Sequence, residues 1–106
     1  MSQGLINLDD ILEWLESKRG GLPTGVALVD IRSNIMHTAT ASADFESPDR
    51  QGRISGWDTG EFDFEVLRVA DYGFAFFKHE HVSDIRDPVL DGAFRGFIES
   101  MAGRDV

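Results

Sequence analysis

The chain has 106 residues, 42% hydrophobic and 27% charged, with 19 acidic against 10 basic side chains, a net charge of −9 and no cysteine. That length fits a single domain over residues 1–106, large enough to bury a core without a covalent or metal staple; the missing cysteine excludes disulfides, thiolate zinc sites and thiol nucleophiles. The acidity argues against direct binding to nucleic acid or an anionic membrane, whose phosphates attract Lys and Arg, and favours encounter with a basic protein.

Residues 1–10 lack the positive region and apolar stretch of a signal peptide. No apolar run approaches the roughly 20 residues that span a bilayer. A cytoplasmic location is therefore expected. The first element reads as a helix from Leu8 to Arg19, with Asn7 as N-cap and Asp9, Asp10 and Glu13 toward the positive end of the helix dipole. Leu8, Ile11, Leu12 and Leu15 share one face and Trp14 flanks it. Gly20 and Gly21 stop the helix, and Pro23 prevents its resumption.

Residues 24–32 read as a strand with apolar residues on both faces. Residues 37–46 alternate Ala39, Ala41, Ala43 and Phe45 with polar neighbours, the pattern of a half-buried strand; the small alanines leave room for a helix lying close. Ser47 to Gly52 mark a turn. Residues 53–57 and 61–69 flank Asp58-Thr59-Gly60, a hairpin signal. A further turn at 70–73 leads to a last strand over 74–80. The final helix runs from Pro88 to Met101, with Asp87 as N-cap and proline at the first helical position. Gly92 and Gly96 weaken this helix, and their spacing suggests close packing on the sheet. The turns between strands are too short for parallel crossovers. The expected architecture is α+β: a two-layer sandwich in which an antiparallel meander of five strands carries both helices on one face and leaves the other open.

The densest chemistry lies from Trp57 to Glu65, a stretch with four carboxylates and no base. Alternation places Glu61, Asp63 and Glu65 on the open face, successive side chains about 7 Å apart, and Phe62, Phe64 and Val66 in the core. A two-residue Thr59-Gly60 loop would pair Trp57 with Phe62 in the core. A three-residue loop would pair it with Glu61 on the open face, and suits the sequence better because only Gly60 then needs positive φ. Trp57 and Asp58 beside Glu61, Asp63 and Glu65 would form a hot-spot type of surface for Arg or Lys of a partner. Acids along a strand also commonly mark a merely solvated face, and Arg53 or Lys78 on adjacent strands are candidates to neutralise them.

His79 and His81, with Glu80 between them and Asp84 behind, offer an alternative: a small metal-binding or carboxylate-dependent enzyme. Two imidazoles on one strand face are a known start to a zinc site, but the sequence identifies no third ligand. His37 is isolated. No nucleophile elbow, Ser-His-Asp pattern or phosphate-binding glycine loop occurs, so no catalytic residue, metal or cofactor is assigned.

The carboxylate hairpin also carries a resemblance. Trp57, Thr59, Gly60, Glu61, Asp63 and Glu65 lead into Phe76, Phe77, Lys78 and His79, and then into the amphipathic helix from Pro88 to Met101. This arrangement, over roughly residues 45–101, resembles the TriTu-type immunity proteins of bacterial polymorphic toxin systems, and the N-terminal helix with Trp14 fits the same layout. The resemblance implies a small cytoplasmic, non-catalytic antidote that binds and neutralises a cognate toxin. Many toxins of such systems are basic nucleases, whose substrate surface an acidic protein can block. Six of the nine surplus negative charges lie between residues 44 and 87, the strand-rich middle of the chain.

Overall fold

The computed structural model describes residues 6–36 and 39–103. Helix α1 spans Leu8–Ser17 and is capped as expected, the Asn7 side chain accepting from the Asp9 N–H at 2.8 Å. It ends before Lys18 and Arg19, and the chain turns through Gly20 and Gly21. Five strands follow: β1 Ala27–Asn34, β2 Thr40–Ser47, β3 Arg50–Trp57, β4 Glu61–Arg68 and β5 Phe74–His81. Helix α2 covers Pro88–Met101, with the Asp87 side chain accepting from the Val89 N–H at 3.0 Å.

The strands form one antiparallel sheet in the order β1-β2-β3-β4-β5, so the expected meander is found. Its boundaries differ from the sequence reading at several strand ends, and two of the shifts have a plain local cause. β1 starts at Ala27 rather than residue 24, because the Val26 N–H closes a turn on the Pro23 carbonyl at 3.1 Å and Gly25 takes a positive φ. β3 starts at Arg50 rather than residue 53, since Ser47 pairs with Arg50 across a tight turn at Pro48-Asp49. Gly52 is therefore a strand residue, not a turn residue. His37 lies outside the described residues.

Both helices cover the same face. α1 lies over β1 and β2, and α2 lies chiefly over β4 and β5. Ala41 and Ala43 are fully buried, as the room they leave for a close helix requires. Between the layers, Phe45, Phe62, Phe64 and Phe97 are fully buried with Ile11, Leu15, Ile54 and Leu90. Phe97 sits edge-on to Phe45 with ring centres 5.0 Å apart. Such pairs add about 0.5–1.5 kcal/mol beyond their buried area. Trp14 stands edge-on to Phe62, Phe64 and Phe94, which places it as a lid over the aromatic cluster. Above it, the Lys18 ammonium lies 4.7 Å from the Trp14 ring centre and 4.9 Å from that of Phe94. The same ammonium bonds Asp91 at 2.9 Å and so ties α1 to α2.

β3 accommodates α2 because its core face carries Gly52. A Cβ there would stand 2.6 Å from Met101 Sδ and 2.7 Å from Phe97 Cζ. The two glycines of α2 differ from the close packing expected of both. Gly96 does meet the sheet, a Cβ there falling 3.0 Å from the Phe76 ring, but Gly92 has nothing within 4 Å. Among the described residues, no helix is long and apolar enough to cross a membrane.

Candidate partner-binding face

Four side-chain rows cross the uncovered face of the sheet, one of them Glu46, Gln51, Leu67 and Phe74. The register places Arg32, Ser42, Ser55, Asp63 and His79 in one row. Asp30, Asp44, Arg53, Glu65 and Phe77 form the next, and Asn34, Thr40, Trp57, Glu61 and His81 lie on the other side.

The position of Trp57 follows from the turn. Gly56 pairs with Phe62, so Trp57 stands opposite Glu61, and the loop is the three-residue Asp58-Thr59-Gly60. Gly60 has φ of 95° and donates to the Trp57 carbonyl at 2.9 Å. Trp57 is half-buried on the open face, on the same side as Ser55 and Arg53. Asp58 is half-buried and its backbone is used on both sides: its N–H donates to Ala39 O at 3.1 Å, and its carbonyl accepts from the Ile6 N–H at 2.7 Å. Glu61, Asp63 and Glu65 project from β4 as alternation requires, while Phe62, Phe64 and Val66 are fully buried behind them.

Neutralisation of the β4 carboxylates does not come from Arg53 or Lys78, the groups the sequence singled out. Arg53 stands opposite Glu65 in the register, but its guanidinium turns to Asp44, Nε to Oδ1 at 2.8 Å. Arg32 reaches the other oxygen of Asp44 at 2.6 Å. Partial burial pushes the Asp44 carboxyl up, but the hydrogen bonds from Arg32 and Arg53 outweigh it and hold the group below its ordinary range. Lys78 pairs with Phe64, so it lies on the helix side of the sheet, 3.8 Å from Glu80. The group that meets the β4 carboxylates is His79. Its Nδ1 is 2.5 Å from Asp63 Oδ1, and its Nε2 is 3.8 Å from Glu61 Oε1. The hydrogen bond to Asp63 is the main cause that raises the His79 pKa, with the charges of Asp63, Glu61 and Glu80 adding to it against a smaller desolvation effect.

This placement also bears on the histidine alternative. His79 and His81 do share the open face. Yet the two nitrogens of His79 face different carboxylates on opposite sides of the ring, which separates the acids instead of converging them on a point. His81 Nε2–H donates to the Thr59 carbonyl at 3.2 Å. Among the described residues, no group of three or more His, Asp or Glu is arranged to hold a metal ion. Asp84 is turned to Arg86, whose guanidinium holds its carboxyl down at about 2.

Two features of the face escaped the sequence reading. Phe74 and Phe77 are both more than half exposed there, with ring centres 5.8 Å apart, beside half-buried Leu67. Strand alternation was the available signal, since adjacent Phe76 and Phe77 cannot both point into the core. The second feature is a shallow depression of about 340 Å³ bordered by Val29, Glu46, Gln51, Arg53, Glu65 and Leu67. Among the described residues, no charged group is bonded to the Glu46 or Glu65 carboxylate at its rim. A wider groove of about 900 Å³ lies on the helix side between α1 and the segment 83–86. It too is bordered by acids, among them Asp10 and Glu13.

A sequence model of the family described as immunity protein TriTu matches residues 9–100, nearly the whole chain. The protein belongs to the TriTu immunity protein family. The match takes in both helices, up to Ser100 of α2, and all five strands, including the hairpin with Trp57, Glu61, Asp63 and Glu65. Comparison with curated proteins gave no match. For a TriTu protein, the open sheet face carries a concentration of carboxylates, aromatic edges and a shallow depression on one rigid surface.

Proposed function

We propose that this protein binds a cognate bacterial toxin in the cytoplasm and neutralises it by covering a basic surface with the open face of its sheet. Family membership supports the immunity role, and a single observation supports the choice of face. Strand β4 sets Glu61, Asp63 and Glu65 outward in a row while Phe62, Phe64 and Val66 behind them are locked in the core. A row of carboxylates on a backbone fixed by the sheet is a good receptor for Arg and Lys. Trp57 and Asp58 border that row at the turn, and Phe74 and Phe77 border it on β5. They supply the apolar contact that charged surfaces need for slow dissociation.

The interaction requires no catalysis, metal or cofactor from this chain. The toxin is sought in the gene neighbouring the one that encodes this protein, and its complex is measured by calorimetry over a range of salt. Glu61→Lys, Asp63→Lys and Glu65→Lys combined are expected to abolish binding and its salt dependence. Asp10→Lys with Glu13→Lys, in the helix-side groove, should leave affinity close to native. The reverse outcome would place the interface on the helix side and overturn the assignment of the face.

A further inference from the structure

The two edges of the sheet differ in where their ladders are interrupted. At β1 the ladder is interrupted between the Leu28 and Asp30 pairs, leaving Val29 as an extra residue, and Asp30 and Arg32 follow along the strand. Bulges and charges of this kind protect an edge against strand addition. β5 carries Lys78 and Glu80, but its ladder runs unbroken from Phe76 to His81. Its eight residues include three phenylalanines and no proline, and its only irregularity lies at its start, between the Val66 and Leu67 pairs.

The backbone of β5 is also open. Val82 N–H donates to Gly60 O at 2.8 Å, which fixes the alternation of an antiparallel ladder. Counting back through Phe62↔Glu80 and Phe64↔Lys78, the peptide groups of Glu80, Lys78 and Phe76 turn toward β4. Those of Phe77, His79 and His81 turn outward, and among the described residues nothing bonds to them. Nor does α2 close the edge. It leaves a groove of about 360 Å³ between Val89, Gly92 and Gly96 above and Phe76, Lys78 and Glu80 below. Gly92 faces open space, so nothing inside the chain accounts for a weak helix former at that point.

We propose that a second copy of this chain adds at this edge, β5 against β5, antiparallel about a two-fold axis through His79, giving one continuous ten-stranded sheet. Charge selects the register. With His79 opposite its own copy, each imidazole balanced by the Asp63 of its own chain, Lys78 faces Glu80 of the second copy and Glu80 faces its Lys78, both on the helix side. On the open face, Phe77 lies over the second copy's His81. An axis at residue 78 or 80 instead opposes two lysines or two glutamates, and an axis at Phe77 draws the irregularity near Ala75 into the ladder. The bare surface at Gly92 then lets the two α2 helices approach above the new strand pair. Apart from Phe77 and His81 at the seam, the open face stays uncovered on both protomers, so the dimer does not depend on the toxin-binding reading.

The test is the mass of the full chain by sedimentation equilibrium over a range of concentrations, with circular dichroism to confirm folding. The native chain should reach twice 11.8 kDa. Lys78→Glu and Glu80→Lys should each weaken the dimer by about tenfold, through two like-charge contacts apiece. An equimolar mixture of the two variants should restore it, because each then presents the charge the other lacks. Native protein that stays monomeric at every concentration overturns the proposal and leaves the edge to a different protein. So does a mixture no more dimeric than its components, which would place any dimer elsewhere on the surface.

Discussion

Replacing Gly52 by alanine adds one methyl group at the point where β3 and α2 come closest. The new Cβ would stand 2.6 Å from Met101 Sδ and 2.7 Å from Phe97 Cζ, well inside contact distance. Methionine can give way, but the Phe97 ring is held between Phe45, Phe64 and Phe94 and is fully buried. Overpacking of this kind costs about 1–3 kcal/mol. Against it stands a gain of about 0.4–1 kcal/mol, because alanine restricts the unfolded chain more than glycine does. The expected net loss is about 1–2 kcal/mol, equivalent in a chain of this size to a fall in Tm of roughly 5–10 °C. Calorimetry or urea unfolding reads this directly. In a Phe97→Leu background, where the ring is gone, the same substitution should cost distinctly less, since the two sites are in contact and do not add. A Gly52→Ala variant with unchanged or raised Tm in the native background refutes the close approach of α2 to β3.

Two other outcomes follow from the turn and from the histidine. Gly60→Ala introduces a side chain at φ of 95° with its Cβ 1.9 Å from the Val82 carbonyl oxygen, a backbone atom that cannot rotate away. It should destabilise the protein by about 2–4 kcal/mol in urea unfolding, and native-like stability would exclude the three-residue loop. For His79, the folded pKa is raised above its unfolded value of 6.5. Its contribution is therefore complete below that value and is lost as pH rises through the higher folded one. Both partners are partly exposed, so solvent screening limits the bond to Asp63 to about 0.2–1 kcal/mol. His79→Gln should accordingly be less stable than native at about pH 5.5 and indistinguishable at about pH 9; an equal deficit at both would show that the bond does not depend on the imidazolium.

Local pattern carried most of the fold into view. Asn7 and Asp87 announced their helices because capping is a short-range requirement met by one side chain. Alternation along β4 placed its carboxylates correctly, and Gly60 settled the register of Trp57 because only one loop length gave it the positive φ alone. What could not be read was pairing between separate strands. That Lys78 faces the helices while His79 faces Asp63 depends on the register of β5, which the extra residue at Ala75 shifts. Likewise, Arg53 chooses Asp44 over Glu65 because Asp44 lies within its reach on β2, a choice decided by side-chain geometry. Gly52 was taken into a turn because glycine signals turns locally; its true role, yielding space to α2, involves residues nearly 50 positions further on.

The strict alternation of β4 has an evolutionary consequence. Its inward residues Phe62, Phe64 and Val66 have no exposed surface, whereas Glu61 is exposed and Asp63 and Glu65 half-exposed between them. Substitutions at the second set change what the sheet presents while leaving the packed layer behind it unaltered. A lineage can therefore alter this surface, the one proposed for the partner, one outward side chain at a time while keeping the packed core. If the proposed face is the interface, recognition and stability are separable along this one strand.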